Sequence, residues 1–239
     1  MTDRKSELAA NLERVEERIS TACTAAGRKR EEMTLIVVTK TYPASDVRLL
    51  AELGVHHVAE NRDQDAAPKA AECAGLPLSW HFVGQLQTNK VRSVADYADV
   101  VQSVDRAKLV TALSAAATGA GRELGCLIQV ALDAGAGERG ERGGVAPDGI
   151  EELAAKVAGA PGLRLDGLMT VAPLAGEYEG RQRAAFERLV ELSSSLRAAH
   201  PAANMVSAGM SADLEEAVAA GATHVRVGTA VLGVRPRLG

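Results

Sequence analysis

Apolar residues along this chain follow two rhythms. From about Asp3 to Gly27, Leu8, Leu12, Val15, Ile19 and Cys23 recur every three or four positions, while Glu13, Arg14, Glu16, Glu17 and Arg18 lie largely off that stripe. This spacing predicts an amphipathic helix. Beyond it, short apolar runs alternate with helical periods. Strand Thr34–Lys40 leads to helix Ala44–Gly54, strand His56–Glu60 to helix Asp63–Cys73, and strand Ser79–Gly84 to helix Thr88–Tyr97. Strand Val100–Val104 precedes helix Arg106–Ala120, and strand Gly125–Leu132 precedes, after a loop, helix Gly149–Ala158. Strand Leu165–Val171 precedes the long helix Tyr178–His200, strand Met205–Gly209 precedes helix Ala212–Gly221, and strand His224–Gly228 closes the series.

Eight strand-helix units in one uninterrupted chain predict an α/β protein, a single (β/α)8 TIM barrel domain over residues 1–239, with residues 1–27 as an extra helix. A doubly wound open sheet is the alternative, but its first βα turn is usually glycine-rich, and Lys40-Thr-Tyr-Pro43 holds no glycine. The segment Ala134 to Gly144, rich in glycine and charge, follows strand five; it reads as a mobile lid or as a plain loop with ligand contact.

Composition narrows the function classes. The 239 residues are 46% hydrophobic, enough for one large core. With 27 basic against 31 acidic residues the net charge is −4 and no dense basic run exists, a poor balance for nucleic acid. Aromatic content of 3% offers few stacking platforms. No stretch has the length of a membrane span, and a charged N-terminus running into an amphipathic helix does not read as a secretory signal. Cys23, Cys73 and Cys126 are odd in number and lack metal-ligand spacing, which suits reduced thiols in a cytoplasmic protein.

Lys40 is the first candidate for chemistry. It ends an apolar strand that has no packing use for an amine, at the carboxyl end where α/β proteins place their sites. An apolar rim disfavours the charged amine and makes a nucleophilic, Schiff-base lysine reachable. A lysine snorkelling to solvent is the alternative reading. The second candidate is a pair of glycine-bearing strand ends. Ser207-Ala-Gly-Met-Ser211 follows strand seven, and Arg226-Val-Gly-Thr-Ala-Val-Leu-Gly233 covers the end of strand eight and the turn beyond, where barrels often bind phosphate. Ser207, Ser211 and Thr229 would add hydroxyl donors, while Asp213 would repel a phosphate unless its side chain turns away. Strands one and eight become neighbours when a barrel closes, so an amine and a phosphate site in reach of one ligand suggest pyridoxal phosphate (PLP).

The chain resembles the pyridoxal phosphate homeostasis proteins, also described as proline synthetase co-transcribed protein homologues. The matching stretches are Val38 to Thr41, Gly54-Val55 with Glu60-Asn61-Arg62, His81 to Lys90, Gly167 to Thr170, Ser207 to Ser211 and Arg226 to Thr229. The resemblance implies a barrel similar to the N-terminal domain of alanine racemases, with PLP as an internal aldimine on Lys40. It implies phosphate contacts from Ser207, Gly228 and Thr229 with the Gly209–Met210 backbone, Asn61 and Met169 by the cofactor, and Arg226 facing the pyridine nitrogen. Two positions depart from the family pattern, Ala208 in the Ser207 block and Leu232-Gly233 near the end, both apolar exchanges. The loop from Ala134 to Gly144 matches poorly, which leaves the role of Arg142 open.

An arginine at the ring nitrogen keeps it unprotonated and weakens the electron sink that carbanion chemistry needs. A racemase also needs an acid-base group opposite the lysine; related enzymes draw it from a β-domain, and this chain stops at Gly239. Tyr42 and Tyr97 are the barrel's own candidates, each read as packing. The expectation is a monomeric cytoplasmic carrier or buffer of PLP in vitamin B6 homeostasis, with no catalytic residues, passing the cofactor transiently to apo-enzymes. The rivals are a PLP-dependent racemase-like enzyme, a cofactor-free Schiff-base aldolase and an interaction protein without ligand. Weaker signals take plainer readings: His56, His57 and Glu60 point to opposite strand faces and not to a metal, and His81 is a structural histidine. Lys90 and Arg92 read as surface charges, Met169 and Met210 by themselves as packing near the mouth, and Lys69 and Lys156 as exposed helix lysines.

Overall fold

In the computed structural model, which describes residues 3–135, 142–174 and 176–233, eight parallel strands close into a barrel in sequence order, β1-β2-β3-β4-β5-β6-β7-β8. Residues 136–141 of the glycine-rich segment, and the ends 1–2 and 234–239 of the expected single domain, lie outside the described residues. The strands are β1 (Thr34–Val38), β2 (His57–Glu60), β3 (Ser79–Phe82), β4 (Val100–Val104), β5 (Leu124–Gln129), β6 (Leu163–Met169), β7 (Met205–Ser207) and β8 (His224–Val227). Closure is direct: β1 pairs with β8, Ile36 opposite Arg226 and Val37 opposite Val227.

Helix α1 (Arg4–Ala25) precedes the barrel, with Asp3 capping it through the Lys5 amide. Helices α2 (Ala44–Glu52), α3 (Asp63–Glu72), α4 (Val91–Tyr97), α5 (Ala107–Gly119), α6 (Ile150–Ala158), α7 (Gln182–Ala199) and α8 (Leu214–Ala220) follow their strands, and a four-residue α9 (Thr229–Leu232) follows β8. The apolar stripe of α1 is buried as its spacing predicts, with Leu8, Val15, Ile19 and Cys23 shielded from solvent. Its polar residues reach the last elements: Asn11 donates to the Val231 carbonyl at 2.7 Å, and Arg4 to that of Leu232 at 3.0 Å. Arg18 pairs with Glu215 and donates to the Ser211 carbonyl at 3.0 Å. The extra helix thus braces the β7 and β8 loops.

Several boundaries differ from expectation by two to four residues, among them the ends of β1, β3 and β5 and the starts of α4 and α8. β6 begins two residues early and ends at Met169, because Arg164 and Asp166 pair along the strand and leave a charged start that does not look like a strand. The helix expected from Tyr178 begins at Gln182 after a separate short turn, Gly176–Tyr178. Within the sheet the side chains alternate. Val37, Val58, Phe82, Ile128 and Val225 face the helices in the main core, whereas Val100, Leu127 and Met169 form a small apolar cluster inside the barrel. The rest of that interior is polar to a degree the apolar strand runs do not announce.

Candidate functional site

The carboxyl end of the barrel gathers the predicted residues. Lys40 lies in the turn two residues past β1 and is exposed, not held against an apolar rim. Val38 lies opposite Ala59, and extending that parallel register by two residues puts Lys40 beside Asn61. Asn61 is fixed by close packing. A Cβ on Gly84 would stand 2.0 Å from the Asn61 carbonyl oxygen, so only glycine lets the chain beyond β3 pass there. Asn61 also lines a cleft of about 510 Å³ with Phe82, Gln85, Gln87 and Lys90.

The turn that carries Lys40 is anchored from below. Lys69, expected as an exposed helix lysine, is buried. Its ammonium pairs with the carboxylate of Glu60, which is wholly shielded, and donates to the Thr39 carbonyl at 2.9 Å. The Thr39 hydroxyl donates to the same carboxylate at 2.6 Å. Thr41, next along, has φ of 71°, a left-handed conformation that is uncommon without glycine. Glu60 lies near His56 and His57 in the sequence. It faces α3, while His57 turns into the barrel toward His81, so the three do not converge.

The two glycine-bearing loops meet on the far side of β1. Gly228 approaches so closely that its Cβ would lie 3.3 Å from the Val38 carbonyl. The Thr229 hydroxyl lies 3.4 Å from the Ser211 hydroxyl, and the Ala230 amide lies at the same distance from it. Gly209 takes φ of 86°, and a Cβ there would stand 2.5 Å from that of Ala217, so the β7 loop turns only because this residue is glycine. Asp213 does not project toward the loop as an obstacle. Its carboxylate caps the Met210 amide at 2.6 Å, and burial pushes its pKa upward. That contact occupies the Met210 N–H, which the resemblance had offered to a phosphate, and the Met210 side chain is exposed.

Ser207, also expected among the phosphate contacts, is fully buried inside the barrel. It donates to Gln102 at 2.7 Å and accepts from Arg226 at 2.7 Å. The hydroxyls that face each other across the loops belong to Ser211 and Thr229. Met169, expected beside a cofactor, is buried against Val100 and Leu127 and packs the interior. Arg226 donates in addition to the Thr170 carbonyl at 2.8 Å. It is buried, and among the described residues no carboxylate bonds to it; Asp213 acts only at longer range, and burial lowers its pKa to about 10. A buried cation with neutral partners is costly and favours an acceptor or anionic ligand beside it. Arg142, whose role the sequence left open, donates to the Ala172 carbonyl at 2.7 Å while Gln129 holds its own carbonyl at 3.0 Å.

Gln102 escaped the sequence reading. A glutamine and a serine inside the otherwise apolar run Val100 to Val104 were the available signal, since such groups are buried only with partners. The tyrosines are occupied as packing: Tyr42 donates to the Gly233 carbonyl at 2.7 Å, and Tyr97 meets Trp80 edge-on at 6.4 Å. Cys23, Cys73 and Cys126 are buried and unpaired. No helix among the described residues is long and apolar enough to cross a membrane.

Comparison with known proteins places this geometry. The alanine racemase N-terminal domain matches residues 10–236. The pyridoxal phosphate homeostasis protein of Mycobacterium tuberculosis is 41% identical over 98% of this chain and 95% of its own. Its Escherichia coli K12 namesake is 36% identical over 96% and 97%. Among solved structures, PipY of Synechococcus elongatus with PLP bound superposes with a TM-score of 0.77 at 32% identity, covering 92% of this chain and 100% of that one. An alanine racemase from Corynebacterium glutamicum, at 18% identity and a TM-score of 0.67 over 98% of this chain and 62% of the enzyme, shares the fold. By sequence along nearly its full length and by its closed barrel, this chain belongs to the pyridoxal phosphate homeostasis protein family.

Proposed function

We propose that the protein binds pyridoxal 5'-phosphate at the carboxyl mouth of the barrel, covalently through the Lys40 amine, and serves as an intracellular carrier or buffer of the cofactor. The observation that carries this reading is the buried Arg226 guanidinium with no carboxylate bonded to it among the described residues, one strand from the strand that leads to Lys40. A ring nitrogen with its lone pair free is the acceptor such a donor suits. The cofactor, when bound, supplies an aldehyde for the Lys40 amine. Ser211 and Thr229, with the first-turn amides of α9, would take its phosphate, and Asn61 would flank the ring. The relative seen with PLP bound supports the same ligand here.

Carriage is favoured over catalysis by the residues themselves. Arg226 does not donate a labile proton to the ring, so the electron sink of a PLP enzyme is weak. Tyr42 has its hydroxyl committed to Gly233, which leaves it poorly placed as a second acid-base group. The protein is read as a monomeric cytoplasmic species that passes the cofactor to apo-enzymes, which its buried reduced cysteines suit.

The test is the absorption spectrum of wild type and Lys40→Ala with added pyridoxal 5'-phosphate, before and after borohydride. A visible band that borohydride fixes to the wild type only is the expected result. A wild type that takes up no colour would end the reading and favour a cofactor-free Schiff-base lysine. Steady turnover of any amino acid would end the carrier half of it alone.

A further inference from the structure

Five side chains, one from each of five strands and all on the inner face of the sheet, form one line of hydrogen bonds through the barrel. Arg226 of β8 bonds the Ser207 hydroxyl of β7 at 2.7 Å, which bonds Gln102 Oε1 of β4 at 2.7 Å. Gln102 Nε2 lies 2.9 Å from His81 Nδ1 on β3, and His81 Nε2 lies 3.1 Å from His57 Nδ1 on β2. Each of Ser207, Gln102 and His81 is shielded from solvent. His57 is half-buried and lines a cleft of about 300 Å³ on the opposite, amino face with Met33, Thr34 and Leu35.

The chemistry of the first member orders all the others. A guanidinium can only donate, so Ser207 accepts from it and must spend its own proton on Gln102. Gln102 then has its carbonyl toward Ser207 and its amide toward His81. His81 Nδ1 must accept, so its proton sits on Nε2 and is donated to His57 Nδ1. The line runs one way, from the ligand side of the barrel to its amino face, with every member neutral after Arg226. Turning Gln102 would put the His81 proton on Nδ1 and take from the Ser207 hydroxyl the oxygen that accepts its proton, so only the first arrangement gives every member of the line a partner.

We propose that Gln102, Ser207 and His81 are positioning residues for the cofactor site, holding the Arg226 guanidinium in a single orientation through this one-way line. This rests on the reading that the site binds pyridoxal 5'-phosphate. Ser207 therefore acts on the ligand from behind Arg226, not as a phosphate contact. Neutral partners keep the Arg226 charge unshared, so its remaining donors are available to a ligand acceptor.

Two measurements decide it. In the cofactor-free protein labelled with nitrogen-15 histidine, NMR is expected to show His81 as the Nε2–H tautomer, and Gln102→Glu is expected to move a proton onto Nδ1, since a carboxylate only accepts. A wild-type His81 protonated on Nδ1 would overturn the proposal. In the second, pyridoxal 5'-phosphate is titrated into wild type, Gln102→Leu, Ser207→Ala and Ser207→Thr, with circular dichroism confirming folding. Affinity is expected to fall about tenfold in Gln102→Leu and Ser207→Ala, with a shifted visible band, and to recover in Ser207→Thr, which keeps the hydroxyl. Folded variants that bind as wild type does would overturn the positioning role and leave the binding reading standing. A wild type that does not bind would overturn both.

Discussion

Lys69 and Thr39 meet behind the barrel wall: the Lys69 ammonium donates to the Thr39 carbonyl at 2.9 Å, one peptide before Lys40, while pairing with the buried Glu60 carboxylate. The pair ties α3 to the end of β1 and fixes the turn from which Lys40 projects. One Glu60 oxygen, Oε2, is buried without a hydrogen-bond partner, so the cluster already carries an uncompensated polar atom.

Removing one member strands the other charge in a dry site. Lys69→Met or Glu60→Leu alone is expected to cost about 3–5 kcal/mol, measured by urea unfolding. The double variant should cost less than either single change, because no unpaired charge is left. Additive losses would show that the two groups act independently.

The β7 loop depends on one glycine. Gly209→Ala places a Cβ at a φ of 86°, 2.5 Å from the Ala217 Cβ. A loss of about 1–3 kcal/mol is expected, together with weaker phosphate binding. Adding Ala217→Gly removes the clash but not the backbone strain. Thermal melts should therefore show partial recovery, and complete recovery would mean that strain contributes nothing.

Acid should destabilise the fold through its interior histidines. Burial lowers His81 to about 3 and His224 to about 4, against 6.5 for the unfolded chain. Between those values the unfolded state binds protons that the native state refuses, so stability is full above pH 6.5 and falls as pH drops toward about 4. Urea midpoints measured across that range should decline, and His81→Gln should flatten the decline while lowering stability at neutral pH. A midpoint independent of pH in wild type would contradict it.

The cysteines should be silent in the native protein. Burial pushes the Cys126 thiol up to about 12 and raises those of Cys23 and Cys73. All three are shielded from solvent, so iodoacetamide should label none before unfolding and all three after it. Labelling of native protein at the rate of a free thiol would contradict this burial.

The barrel was legible because its strands read as short apolar runs and its helices carry a clear stripe, as Val37, Val58 and Leu8 illustrate. The order of the strands follows from their number and spacing. The site was legible only at its loops. Lys40, Asn61 and the glycines of β7 and β8 mark strand ends, whereas Ser207 looks like another loop hydroxyl until the sheet twists it inward. Lys69 departs from expectation because helix periodicity cannot tell a lysine facing solvent from one meeting a carboxylate 9 positions away on the preceding strand. Gln102 has the same difficulty: its partners, Ser207 and His81, are set by closure of the sheet and not by neighbours in the chain.

The brace formed by α1 also sets an order of events. Its bonds to Glu215, Val231 and Leu232 span 197, 220 and 228 residues, and β1 finds β8 over a comparable distance. During synthesis the first helix leaves the ribosome long before any of these partners exist, and until the last elements emerge only α2 and the turn before β1 are there to cover part of its apolar stripe. Lys40 and Arg226 likewise come together only when the two ends of the barrel join. The ligand site is the final part of the molecule to be assembled, and a chain arrested before β8 carries the lysine without the arginine opposite it.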